Sequence, residues 1–209
     1  MYFDVLTALP FVLLWIGSVT FLRLRKRQTV AYLALFTIFF VYVYKVIDYT
    51  LLHYQSLLLM RYVMPNLILR GETAEESINL IPIVTLTPQD LETSLLNVLL
   101  LIPLGFGLPF VTSLHMKQTV LLGALCSMVI ELLQLVTGIV GGVTFRVADA
   151  NDVLFNTLGV ATGYVLFVGF GRALRRLSHD WEVAANPLVR HIAERPQLDN
   201  PPAGDTGKR

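Results

Sequence analysis

Charge is scarce in this sequence. Only 15% of its 209 residues are Asp, Glu, Lys or Arg, against roughly 25% in an ordinary soluble domain, while 55% are hydrophobic. That deficit argues against a water-soluble protein. Net charge is scarce too. Sixteen basic and 15 acidic residues leave a formal +1, which gives no electrostatic case for a nucleic-acid partner, because such affinity rests on neutralising many phosphates. Cysteine is nearly absent: Cys126 stands alone inside an apolar run. An intrachain disulfide and a CxxC redox or zinc motif are thereby excluded, and Cys126 reads as a small buried hydrophobe. GxSxG, P-loop and HExxH patterns are missing as well, and His53, His115, His179 and His191 lie away from the other polar motifs. No nucleophile, resident metal or cofactor is called for.

Long apolar runs fill the space that charge leaves. Candidate membrane spans read at Phe3 to Leu22, Val30 to Leu52, Leu91 to Leu114, Thr119 to Thr137 and Val153 to Gly171, each near the ~20 residues that a hydrocarbon core demands. The expected fold is all-α, a polytopic membrane bundle of about five transmembrane helices. Residues 1–171 form the membrane domain and residues 172–209 a cytoplasmic juxtamembrane helix and tail. The first run lacks a basic leader and a small-residue cleavage site, and Arg23, Arg25, Lys26 and Arg27 follow it directly; it reads as a retained helix.

Positively charged loops stay in the cytoplasm. The basic cluster therefore sets the first connection inside and the N-terminus outside. Alternating the later loops from there places 12 of the 16 basic residues in inner segments, with the C-terminus inside. Arg172 to Ala185 reads as a helix on the inner surface, Trp181 near the headgroups. Beyond Asn186, four prolines with scattered charges leave too little apolar surface to offset the entropy of ordering.

Ionisable groups within spans cost roughly 2.5–3.5 kcal/mol at a helix centre and usually face the bundle interior. Lys45 and Asp48, three apart, share a helical face and partly neutralise each other. The fourth run carries Gly123, Ser127, Glu131, Gln134 and Gly138 along one stripe. The fifth region continues the pattern with Asp149, Asp152, Asn156, Gly159 and Gly163, the last two a GxxxG step that lets another helix approach. The third run adds Asn97, then Pro103, Gly105, Gly107 and Pro109. Pro103 removes the amide that would bond the Leu99 carbonyl, so this helix is expected to kink or break. With alternating topology, Asn97, Glu131, Gln134, Asp152 and Asn156 all fall toward the external surface, with Arg146 and Asp149 just above them.

These residues resemble the VanZ-like family of bacterial integral membrane proteins. The likeness rests on Asn79-Leu80-Ile81-Pro82, on Asn97 followed by Ile102-Pro103-Leu104-Gly105-Phe106, on Glu131-Leu132-Leu133-Gln134, and on Arg146, Asp149, Asp152, Asn156, Gly159 and Gly163. It covers residues 79 to 164. Two positions depart from the pattern: Ala148 stands where a larger apolar residue is expected, and Ile83 where an aromatic is common. The resemblance implies an all-helical protein of the bacterial plasma membrane, and the family's founding member is associated with resistance to the glycopeptide teicoplanin.

The leading functional expectation is an envelope protein that binds a lipid headgroup, a lipid-linked wall precursor or an amphiphilic glycopeptide at the outer leaflet. Arg146 would hold a phosphate or carboxylate, Asn97, Gln134 and Asn156 would supply neutral hydrogen bonds, and Glu131 with Asp152 would tune the charge, with Asp149 beside them among the ligand-binding candidates. Three acids against one arginine favour a zwitterionic or cationic group, or else a Glu131 kept protonated by burial. The alternative is a membrane-embedded enzyme in which the three acids bind Mg²⁺ and Arg146 clamps a phosphate. A proton or ion path through Lys45, Asp48 and Glu131, and a purely structural role for the polar set, stay open beside these. So does a homo-oligomer.

Overall fold

The computed structural model describes residues 5–52, 78–79, 83, 88–141 and 148–179. Among the described residues the structure is all-helical apart from one two-residue strand pairing, and five helices are described: α1 (Val5–Leu24), α2 (Val30–Ile47), α3 (Pro88–Val111), α4 (Met116–Gly141) and α5 (Ala150–His179). Among the described residues four stretches are long and apolar enough to cross a membrane, Val30–Leu51, Leu91–Val111, Met116–Val136 and Ala150–Leu174; the apolar run of α1, Ala8–Leu24, is shorter.

Helix boundaries follow local chemistry. Thr29 caps α2, its hydroxyl accepting from the Tyr32 amide at 3.2 Å, which satisfies one of the four amides a helix start leaves unpaired. At α4, Gln118 reaches back to accept from the His115 amide at 3.1 Å, half of a capping box. The last residues of α2 widen into a π turn over Asp48–Leu52. Helix α5 runs without interruption past Gly171, so Arg172 and Arg176 belong to the same helix, which ends at His179. Thirty residues make about 45 Å of helix, enough to carry its end beyond a ~30 Å hydrocarbon core. The tail beyond His179, with Trp181 and the prolines, lies outside the described residues.

Pro103 does not end its helix. Both Pro103 and Pro109 lie inside an unbroken α3, contrary to the expected break, and α2 supplies hydrogen bonds along the affected stretch. The Tyr42 hydroxyl donates to the Leu100 carbonyl at 2.7 Å, and the Tyr32 hydroxyl to the Val111 carbonyl at 2.9 Å. Neighbouring helices commonly re-satisfy carbonyls around a membrane proline in this way.

The packing is inside out by the standards of a soluble protein. On α4 the buried stripe is Gly123, Ser127, Glu131 and Gln134, while Leu121, Leu125, Met128, Val129, Leu132 and Leu133 face outward. Buried polar groups under exposed leucines are unstable in water and natural in lipid, where tails are as apolar as Leu and association rests on small residues and hydrogen bonds. Cys126 belongs to the outer face and is exposed, which corrects the expectation of a buried thiol. One residue along from Ser127, it lies about 100° around the helix from the buried stripe.

Glycine sets the tightest crossing. A Cβ at Gly159 or Gly163 would overlap the Val98 or Ile102 carbonyl, and one at Gly105 would overlap the Val160 carbonyl. Helices α3 and α5 thus meet backbone to backbone and run parallel. On α4, Gly123 lies against the Val160 side chain, and Gly107 of α3 receives the Phe39 ring of α2. Below this crossing Phe106, Phe110, Phe167 and Phe170 pack edge to face, Phe110 and Phe167 with centroids 5.0 Å apart. Helix α1 packs on α2 through Phe11 against Tyr44 and a Trp15 Nε1 bond to the Thr37 hydroxyl at 3.1 Å.

Candidate functional site

Above the glycine crossing the interior becomes polar. Ser94 and Asn97 of α3, Ser127, Glu131 and Gln134 of α4, and Asn151, Asp152 and Asn156 of α5 are all buried, with Thr50 of the π turn. Their levels follow from register. Gly123 packs on Val160, and one turn up α4 the Ser127 hydroxyl accepts from Asn156 Nδ2 at 2.8 Å. The next turn brings Glu131 level with Asp152. Running the α3–α5 register back one turn from Val98 and Gly159 sets Ser94 and Asn97 beside the turn that holds Asn156. At the top, Gln134 Nε2 donates to the Thr50 carbonyl at 2.9 Å. The polar groups form a column that begins at the glycine floor and rises to one end of the bundle.

The rim is built around the start of α5. A two-residue parallel pairing, β1 (Ile78–Asn79) with β2 (Ala148–Asp149), ties the segment before α3 to the entry of α5. Asp149 is the N-cap: its Oδ1 accepts from the Asn151 amide at 2.8 Å. Glu131 Oε2 accepts from the Asp149 amide at 3.2 Å, and Asp152 stands in the first turn. Three carboxylates thus crowd the positive end of one helix dipole, which favours negative charge there. The dipole end, equivalent to about half a positive charge, offsets only part of the acid excess that the sequence presents. Asn151 Oδ1 accepts from the Ile83 amide at 2.7 Å, and Ile83 itself has φ of 71°, a left-handed conformation unusual for a β-branched residue.

Several buried amide atoms have no partner among the described residues: Asn97 Nδ2, Gln134 Oε1, Asn151 Nδ2 and Asn156 Oδ1. Among the same residues Thr119 Oγ1, near the start of α4, is a fifth unpartnered polar atom; leaving one unpaired in a low-dielectric interior costs about 1–3 kcal/mol, so the gathering of the other four at one end of the bundle calls for a cause.

Of the residues singled out by sequence, Asn97, Glu131, Gln134, Asp152 and Asn156 are buried at the same end, and Asp149 caps the helix beside them. Arg146 lies outside the described residues. Lys45 and Asp48 pair at 3.1 Å, partly exposed, on α2. No three His, Cys, Asp or Glu side chains among the described residues converge as a metal site. Thr50, Ser94 and Asn151 join the buried set without having been singled out by sequence. Ser94 shares the face of Asn97 at a spacing of three, a signal that sequence carries; Thr50 and Asn151 act through backbone contacts that it does not.

A family model described as VanZ/LLP1 matches residues 11–171, which takes in α1 and α2 as well as the stretch that carries the resemblance. No curated protein and no solved structure matches the chain.

Proposed function

The chain belongs to the VanZ/LLP1 family and is a multi-pass membrane protein, and from that premise we propose that its polar column binds the head of an amphiphile from the adjacent leaflet. The occupant is a lipid headgroup, a lipid-linked wall precursor or an amphiphilic glycopeptide in a bacterial cell envelope. The observation that carries this reading is the set of unpartnered amide atoms, Asn97 Nδ2, Gln134 Oε1 and Asn156 Oδ1. A head bearing hydroxyl or amine donors together with an acceptor complements them, and the carboxylates at the rim favour a zwitterionic or cationic group over a purely anionic one. The positive-inside rule assigns this end to the outer leaflet, with the N-terminus outside and the C-terminus cytoplasmic.

Two features weigh against transport. The column stops at the backbone contacts of Gly105, Gly159 and Gly163, and an aromatic cluster fills the interior beneath. A structural role is the second reading, because Asn156, Gln134 and Glu131 each also make a bond to another segment, as polar side chains in membrane bundles do.

Asn97→Leu separates the two. Wild type and variant are purified in mild detergent and their retained amphiphiles are compared by untargeted mass spectrometry, with Asp152→Asn beside them. Binding in the column requires a species enriched in wild type and lost from Asn97→Leu at unchanged thermal stability. Identical profiles in all three proteins would overturn the proposal in favour of the structural role.

A further inference from the structure

A second feature lies away from the polar column. Helices α1 and α2 enclose an apolar groove of about 330 Å³. Phe11 and Phe40 form its walls, Val12 and Val41 its outward edges, both about half exposed. The Trp15–Thr37 hydrogen bond lies at one end, and Tyr44 and Lys45 line the other. The wall from Thr37 to Lys45 is about 12 Å of helix, close to half of a ~30 Å hydrocarbon core. The groove is therefore one leaflet long, and its Lys45 end points the same way as the polar column, since the π turn that follows bonds Gln134.

The charged end is paired. Lys45 Nζ sits 3.1 Å from Asp48 Oδ2 and 5.3 Å from the Tyr44 ring centroid, and the side chains of Lys45 and Asp48 are 39% and 32% exposed. An apolar trough one leaflet long, open sideways and ending at Lys45, with Asp48 beyond the lining as its ion-pair partner, matches one class of molecule. We propose that the groove seats an acyl chain of a zwitterionic phospholipid, with its phosphate against Lys45 and its ammonium group against Asp48. Tail burial supplies the affinity, and the ion pair supplies the choice of head. This seat is independent of the polar column and does not rest on the reading given to it.

The test uses nanodiscs made of phosphatidylethanolamine and phosphatidylglycerol in equal parts, with retained lipids counted per protein by native mass spectrometry after detergent washing. Wild type is expected to keep phosphatidylethanolamine in preference. Val41→Trp fills the open edge and should lower that retention by about tenfold, with an unchanged melting temperature; Val12→Trp blocks the same groove from α1 and replaces it should Val41→Trp melt early. Asp48→Asn removes the negative charge beside Lys45 and should turn the preference toward phosphatidylglycerol. Gly169→Ala, where a Cβ meets nothing within 4 Å, is the control and should change neither lipid; phosphatidylethanolamine lost from Asn97→Leu but kept by the groove-filling variants would belong to the polar column and would overturn the proposal. Full phosphatidylethanolamine retention in the groove-filling variants, unmoved selectivity in Asp48→Asn, or a lipid-free dimer whose interface is this groove would overturn the proposal.

Discussion

Replacing Gly163 by alanine sets two effects against each other. Helix propensity alone favours alanine over glycine by about 0.8–1.0 kcal/mol. The new Cβ, however, would overlap the Ile102 carbonyl and lie 2.7 Å from the Phe106 nitrogen and 3.0 Å from Gly105 Cα. These neighbours are backbone and cannot rotate aside, so α5 must retreat from α3. A retreat of about 0.5–1 Å forfeits roughly a quarter to a half of each dispersion contact along the crossing, and overpacking of this kind costs about 1–3 kcal/mol. With backbone on every side the upper part of that range applies, for a net loss of about 2 kcal/mol. Gly169 lies on the same helix, and a Cβ there would meet nothing within 4 Å, so Gly169→Ala should gain up to about 1 kcal/mol. Thermal unfolding in one detergent, with reversibility checked, gives both numbers. A Gly163→Ala protein as stable as Gly169→Ala would refute the backbone-to-backbone crossing and, with it, the closed floor of the polar column.

Other outcomes follow from the same contacts. Ile83→Gly should stabilise the protein by about 1 kcal/mol, because left-handed backbone costs a β-branched residue about 1–2 kcal/mol and the Ile83 side chain is largely exposed; a lowered melting temperature would show that the side chain matters after all. Tyr42→Phe removes the donor to Leu100 and should cost about 0.6–1.5 kcal/mol in detergent unfolding, whereas no change would mean the carbonyl finds another partner. A double-mutant cycle on Ser127→Ala and Asn156→Leu should show a coupling of about 0.6–1.7 kcal/mol, and strict additivity would contradict the 2.8 Å bond between them.

Much of the interior is legible in the sequence because membrane helices keep a simple rule: the small and polar stripe faces protein. Spacing alone puts Gly123, Ser127, Glu131 and Gln134 on one face, and the structure buries that face. The GxxxG step at Gly159 and Gly163 likewise marks the closest crossing. What escapes depends on partners distant in sequence. Pro103 suggests a kinked or broken helix; α3 is continuous, and a tyrosine on α2 donates to the nearby Leu100 carbonyl. Asp149 stands out in sequence as a carboxylate; that its side chain also caps α5 on the Asn151 amide is visible only once the start of α5 is known. The pairing of Ile78 with Ala148 and Asn79 with Asp149 has no signal at all, since two residues carry no periodicity.

The polar column stands or falls on Glu131 of α4 and Asp152 of α5 sharing one level at one end of the bundle. Glu131→Cys and Asp152→Cys, introduced together after Cys126→Ala, put that to a direct measurement in sealed membrane vesicles. A short bifunctional maleimide should join the two positions within one chain, and an impermeant thiol reagent should protect both from one side of the membrane only. Absence of the cross-link, with the two thiols protected from opposite sides, would contradict the arrangement.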